Sequence, residues 1–295
     1  MSEDTQASIP QASILDGRAV ADRLIANVAQ AVANGAKRGE RPPGLAVVLI
    51  GDDPASDIYV GNKVKACARA GIVSRDYRLA HGSDQKSLLA LIDQLNADDE
   101  IDGILVQLPL PPHMDEHAVT RRISVEKDVD GFHPINVGQL ALRNPGLRPC
   151  TPRGVMTLLN AYGLDTKSKH AVVVGASNIV GRPLALELLL AGATVTVAHR
   201  FTRNLESLVR QAEYLFVAVG KPGVIDAEWI QPGTVAVDIG IHRDPEGRVR
   251  GDLDFEAASR RASWITPVPG GVGPMTVATL MQNTAEAGGL VVLSP

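Results

Sequence analysis

The stretch 171–200, AVVVGASNIVGRPLALELLLAGATVTVAHR, constrains this chain more than any other part of it. Residues 171–174 form an apolar, β-branched run suited to a buried parallel strand. Gly175 follows at once, where the chain must turn sharply without a Cβ. Leu184, Leu188 and Ala191 then recur at helical spacing, Gly192 stands where that helix would end, and 193–198 returns as a strand. The whole predicts one βαβ unit of about thirty residues. A glycine turn that opens onto a helix N-terminus suits a dinucleotide pyrophosphate, because unpaired N–H groups and the positive end of the helix dipole meet there. The pattern departs from G-x-G-x-x-G: Ser177 replaces the middle glycine, and Gly181 comes one place late. An NAD site wants Asp or Glu near the end of the second strand, for the ribose 2′-hydroxyl. Here that place holds His199, Arg200 and, shortly after, Arg203, cations suited to a 2′-phosphate, so NADP is expected over NAD.

The 295 residues suggest roughly two domains at the usual size of about 150 residues each. The hydrophobic share of 45% is enough for a core in each, and a net charge of −4 argues against a nucleic-acid binder. Cys67 and Cys150 lie far apart with no metal-type spacing, so neither a disulfide framework nor a zinc cluster is expected. No metal is assigned. The first dozen residues have no apolar core or basic flank, which reads as a frayed tail over 1–12 rather than a signal or a membrane anchor.

Val20, Leu24, Val28 and Val32 mark an amphipathic helix, and 45–50 a central strand. A further helix should start near Ser56. On it Tyr59 and Lys63 stand four apart, so they share a face. After a strand over 72–80 and a helix over 83–96, the run 101–108 reads as a strand that ends at Gln107, where an open α/β sheet forms its ligand crevice. An amide there can read a heterocycle. His113 and His117 match the H-x-x-E-H pattern of one group of zinc proteases, but Pro111 and Pro112 leave the helix barely begun at His113. The loop 127–134 carries Asp128 and Asp130, which would point the same way if the backbone were extended. A carboxylate at a sheet's mouth can bind the N–H and NH₂ edge of a pterin-like ring. Two further strands are expected over 214–219 and 234–238, surface turns over 247–254, a shaped loop over 269–274 and a helix over 275–287.

With Tyr59-x-x-x-Lys63, VQLPLP at 106–111, KDVDG at 127–131, PCTP at 149–152, VGAS and VGRP at 174–177 and 180–183, and PGGVGPMT at 269–276, the chain resembles the bifunctional methylenetetrahydrofolate dehydrogenase/methenyltetrahydrofolate cyclohydrolase family. The likeness runs over nearly its full length. It implies an α/β fold of two α/β domains: a folate-binding catalytic domain (13–148 plus 275–295) and a Rossmann-like NADP-binding domain (149–274). The C-terminal helix would return to the first domain, and tetrahydrofolate would bind in the cleft between the two. The resemblance also implies a cytoplasmic homodimer acting on tetrahydrofolate derivatives, with no nucleic acid and no membrane as partner. Lys63, Tyr59, Gln107 and Asp130 match the positions that line the folate pocket and carry catalysis. Gly175, Ala176, Ser177, Arg200 and Ile241 are the expected cofactor residues, and Pro269, Gly270 and Gly271 a wall of the folate site. Many relatives carry Arg where this chain has Ala176, which passes the 2′-phosphate contact to Arg200.

The implied chemistry has two steps. A hydride leaves the one-carbon bridge of 5,10-methylenetetrahydrofolate for NADP⁺, a step in which the protein mainly aligns the reactants. Water then attacks 5,10-methenyltetrahydrofolate to give 10-formyltetrahydrofolate, which needs proton transfer, and Lys63 is the candidate. A lysine acting as general base needs a pKa roughly three units below the usual ~10.4, a cost of about 4 kcal/mol. A charged lysine that positions water is the alternative. Two rival readings stand beside this one: a zinc hydrolase on His113 and His117, and a non-catalytic NADP-binding regulator.

Overall fold

The computed structural model describes residues 11–51, 54–244 and 246–295, apart from the side chains of 54–59. In chain order the elements are β1 (Ser13–Ile14), α1 (Gly17–Lys37), β2 (Gly44–Ile50), α2 (Pro54–Ala70), β3 (Val73–Leu79), α3 (Gln85–Ala97), β4 (Gly103–Val106), α4 (Glu116–Arg122), α5 (Pro134–Ala141) and α6 (Cys150–Ala161). They continue as β5 (His170–Val174), α7 (Gly181–Leu190), β6 (Thr194–Ala198), α8 (Leu205–Val209), β7 (Tyr214–Val217), β8 (Val235–Asp238), β9 (His242–Arg243), β10 (Val249–Arg250), α9 (Phe255–Ser259), β11 (Trp264–Ile265) and α10 (Val272–Ala287).

Two compact bodies result. One takes Arg18–Ala161 with Pro274–Pro295, and the other takes the described residues up to Gly17 with Tyr162–Gly273. These limits differ at two places from those expected from the sequence. The segment at the start of the chain joins the second body, because β1 pairs in parallel with β11 and Ala12 is buried in that body's core; it is no tail at residue 12. Helix α6 joins the first body rather than opening the second, because it packs on α10. Gly154 faces the Met275 side chain, Thr151 and Thr276 share a 2.9 Å hydrogen bond, and Arg153 grips Glu286 at 2.6 Å.

The first body has a parallel sheet in the order β3-β2-β4. β2 is buried along its whole length, which explains its unbroken apolar run GLAVVLI. Ala46, Val48, Ile104 and Val106 pack on Leu88, Ile92 and Leu95 of α3. Each such fully buried aliphatic side chain contributes about 1.5–3 kcal/mol. α3 starts where Asp84 accepts a 2.8 Å bond from the Ser87 N–H, so its first turn has a cap. Val20, Leu24 and Val28 form the buried stripe of α1. The segment after α10 comes back to α1, where the Asn27 amide donates to the Leu293 carbonyl at 3.0 Å.

The second body holds a sheet, parallel throughout, in the order β1-β11-β8-β7-β5-β6. Chain direction along the sheet reverses at β5: β6 follows it on one side and β7 on the other. The sheet of the first body does the same at β2. In open α/β sheets these reversals mark the crevices where ligands bind, at the carboxyl ends of the strands. Among the described residues no helix is long and apolar enough to cross a membrane.

Candidate active site

In the first body, Gln107 follows directly on β4 and its N–H bonds the Val48 carbonyl of β2 at 2.9 Å, which fixes it at the reversal point. Its side-chain amide donates to the Leu108 carbonyl at 2.6 Å, and this leaves the amide oxygen turned to accept. Lys63, half-buried on α2, donates to that oxygen at 2.9 Å. Asp130 completes the group. Burial pushes its carboxyl up to about 6, and the nearby Lys63 ammonium opposes the rise. Its backbone is held as well, since its carbonyl accepts from the Cys150 N–H at 3.3 Å. A cation, an amide and an adjustable carboxyl thus converge at the mouth of one sheet, a set able to hold a polar heterocycle and to move a proton.

The two carboxylates of the 127–134 loop do different work. The backbone there is not extended: a 3-10 turn covers Val125–Lys127, and the Gly131 N–H returns to the Asp128 carbonyl at 3.0 Å. Asp128 therefore turns inward. Its oxygens accept from the N–H groups of Phe132 (3.2 Å) and His133 (2.8 Å) and from the Asn136 amide (2.8 Å), and it closes the loop. Only Asp130 is left to face Lys63. Gly131 makes this possible with φ 75°, and any Cβ there would run into the backbone of Arg148 and Pro149.

In the second body, Gly175 ends β5 with φ 120°. A Cβ on it would overlap the Ala218 carbonyl oxygen after β7, and one on Gly181 would overlap the Gly175 carbonyl oxygen. Both glycines are therefore required by close backbone approach. Ser177 accepts from the N–H groups of Val180 (3.1 Å) and Gly181 (3.4 Å), so the residue in the middle-glycine place closes the turn that leads into α7. Ala176 offers its carbonyl to the Arg182 guanidinium at 3.0 Å. Arg200 lies exposed just past β6, stacked 4.6 Å over the Phe201 ring, and Arg203 is also exposed. Ile241 is 49% exposed past β8. The turn holding Pro269, Gly270 and Gly271 follows β11, and the Gly271 N–H closes it on the Pro267 carbonyl at 2.8 Å. The turn between β5 and α7 lies at the reversal point of this sheet, where an open α/β sheet takes its ligand.

The described residues bring Lys63, Gln107 and Asp130 together. Tyr59 lies on α2, but its side chain is outside the described residues. As the two prolines predict, His113 lies before α4; it is tied to the Ser83 carbonyl at 2.9 Å and does not share a helix face with His117. Two expectations need correction. Val272 to Pro274 belong to the first turn of α10 and not to a loop, because proline is tolerated where the helix N–H has no partner in any case. The 247–254 segment is more than surface turns: it holds β10, and its Asp252 is fully buried.

Sequence reasoning overlooked Asn283. Its amide, buried on α10, donates to the carbonyls of Val129 (2.7 Å) and Arg148 (2.8 Å), which flank Asp130 and Cys150. The only clue was an amide on the apolar face of a helix, VGPMTVATLMQNTAEA.

Two family models match this chain. The tetrahydrofolate dehydrogenase/cyclohydrolase catalytic domain covers residues 15–130, and the NAD(P)-binding domain of the same name covers 149–290. Among solved structures, the bifunctional methylenetetrahydrofolate dehydrogenase/cyclohydrolase of Campylobacter jejuni is 48% identical with a TM-score of 0.92, over 94% of this chain and 98% of that one. The Trypanosoma brucei N5,N10-methylenetetrahydrofolate dehydrogenase-cyclohydrolase, solved with NADP cofactor and inhibitor, is 40% identical with a TM-score of 0.91, over 95% and 98%. The bifunctional enzyme of Thermoplasma acidophilum is 35% identical with a TM-score of 0.88, over 94% and 98%.

Proposed function

The chain belongs to the tetrahydrofolate dehydrogenase/cyclohydrolase family, and from that premise we propose how its own residues divide the work of the two activities. It is a bifunctional methylenetetrahydrofolate dehydrogenase/cyclohydrolase of one-carbon metabolism, an oxidoreductase and a hydrolase with an NAD(P)-binding domain. Lys63, Gln107 and Asp130 form the reaction centre, with Tyr59 on the same helix. Asp130 as carboxylate accepts from the N–H and NH₂ edge of the pterin, and Gln107 reads the ring and anchors the lysine. Lys63 handles the proton of the hydrolysis step. The observation that carries this reading is the 2.9 Å bond from the Lys63 ammonium to Gln107, made beside Asp130 at the reversal point of the sheet.

The cofactor is NADP. When bound, its nicotinamide ring takes the hydride from the one-carbon bridge of the substrate. Gly175 and Gly181 let β5 turn tightly into α7 at the pyrophosphate site, Ala176 and Ser177 line the turn, and Arg200 pairs with the 2′-phosphate. Ile241 covers the cofactor, and Pro269, Gly270 and Gly271 are assigned to substrate binding. The folate-binding domain is the body of Arg18–Ala161 with Pro274–Pro295, the cofactor domain is the body containing Tyr162–Gly273, and the working form is a cytoplasmic homodimer.

In the first step the chain's residues mainly align the donor carbon, since the substrate's own nitrogens stabilise the cation that forms. In the second, water adds to the cationic methenyl carbon and the C–N bond to one ring nitrogen breaks; of the water's two protons one is released, which removes the substrate's positive charge, and the other must reach that nitrogen. Lys63 stands where it can relay this proton. A spectrophotometric assay with 5,10-methylenetetrahydrofolate and NADP⁺, followed by one with 5,10-methenyltetrahydrofolate, tests the division of labour. Lys63→Met is expected to abolish the hydrolysis while sparing part of the hydride transfer. Unimpaired hydrolysis in that variant would remove Lys63 from the mechanism.

A further inference from the structure

Past the ends of β7 and β8 two carboxylates are buried against each other's neighbouring glycines. Asp238, last residue of β8, accepts from the N–H groups of Gly240 (3.1 Å), Asp252 (3.0 Å) and Leu253 (2.8 Å). It thereby ties the 251–253 segment to the end of β8. Asp252 then reaches the other way, and its Oδ2 accepts from the N–H groups of Val219 (2.7 Å) and Gly220 (2.9 Å) just past β7. The packing leaves no slack. A Cβ on Gly240 would overlap the Asp252 carboxyl, and one on Gly251 would overlap the Asp238 carboxyl.

The other oxygen of Asp252, Oδ1, is buried and has no hydrogen-bond partner among the described residues; it faces the equally unpartnered Nδ1 of His242 at 3.9 Å. A fully buried carboxylate that satisfies two loop amides and leaves one oxygen idle is costly for stability alone. It makes sense where the loop it holds has a task. That loop begins at Ala218, whose carbonyl abuts Gly175, and Gly240 leads into the exposed Ile241.

We propose that Asp252 is a positioning residue for hydride transfer: its carboxylate ties the tip after β7 to the tip after β8, and so sets Val219, Gly220, Gly240 and Ile241 as the seat of the nicotinamide end of the cofactor. The inference rests on the reading that the cofactor lies across the reversal point of this sheet, with its pyrophosphate at Gly175. Asp252 touches neither substrate nor cofactor and acts through the two backbone tips.

The full-length chain supplies its own control, because hydrolysis of 5,10-methenyltetrahydrofolate needs no nicotinamide. Asp252→Ala is expected to raise the KM for NADP⁺ about tenfold or more, the scale of losing one shared buried acceptor, while cyclohydrolase turnover is kept. Asp252→Asn retains an amide oxygen for both N–H groups and is expected to return the KM to within about threefold of the unmodified chain. Gly240→Ala, which displaces the carboxyl without deleting it, should reproduce the KM effect of Asp252→Ala. An unchanged KM in Asp252→Ala, no rescue by Asn, or joint loss of both activities in Asp252→Ala and Gly240→Ala would overturn the assignment. Failure of the underlying cofactor reading would show earlier, as an unmodified chain with no NADP⁺-dependent oxidation.

Discussion

Asp130 feels two opposed pulls, and their balance makes its charge sensitive to pH. Burial raises its carboxyl from 3.8 to about 6 despite the attraction of Lys63. The folded chain therefore holds this proton more tightly than the unfolded chain. The stabilisation is fully present below the ordinary carboxylate value and is lost as pH rises through about 6. Asp130→Asn should then melt later than the unmodified chain at pH 7, by the equivalent of about 1–3 kcal/mol, and at the same temperature near pH 4. Calorimetry at the two pH values checks this. Function runs the opposite way, because only the carboxylate presents an acceptor oxygen to both the N–H and the NH₂ of a pterin edge. The KM for the folate substrate should rise as pH falls below about 6 and be flat with pH in Asp130→Asn. A pH profile for the variant that matched the unmodified chain would detach Asp130 from substrate binding.

Two elements owe their geometry to one or two residues each. The turn from β5 into α7 depends on Gly175 and Gly181, each of which has a backbone carbonyl where its Cβ would go. Gly181→Ala should therefore destabilise the chain by about 1–3 kcal/mol, the usual scale of overpacking, and weaken NADP binding by opening the turn. Thermal melts and a cofactor titration read these two effects separately. α10 holds the Asp130 loop through Asn283, whose amide satisfies two carbonyls at 2.7 and 2.8 Å. Asn283→Ala leaves both without that donor and should cost about 1–3 kcal/mol. It should also raise the folate KM with little effect on the KM for NADP⁺, because these bonds lie within the first body. Equal shifts in both constants would contradict a local role.

At the scale of the whole molecule, the two bodies predict a localised response to the cofactor. NADP⁺ at about 100 times its Kd should add roughly 2.7 kcal/mol of stability, and protection from hydrogen exchange should concentrate in Tyr162–Gly273. Protection confined to the first body would refute the assignment of the cofactor to the second. Arg200→Ala should narrow the preference for NADP over NAD, read as the ratio of the two Michaelis constants, and an unchanged ratio would clear Arg200.

Local pattern alone carried a great deal here. Strands such as 45–50 and 171–174 are apolar throughout because both faces are buried, and turns such as that at Gly175 need a residue without a Cβ. These are properties of neighbouring residues, so they can be read in one dimension. The family motifs named Lys63, Gln107 and Asp130, though spacing alone could not separate Asp130 from Asp128. That choice came from the loop's fold, which spends Asp128 on three donors and leaves Asp130 beside Lys63. Tertiary structure likewise decided that β1 pairs with β11, that α6 packs with α10, and that Asp252 is buried under two loop tips. Each of these joins residues far apart in the chain through hydrogen bonds and close packing. Such contacts leave no periodic mark in the sequence, because their partners are fixed only once the chain has closed on itself.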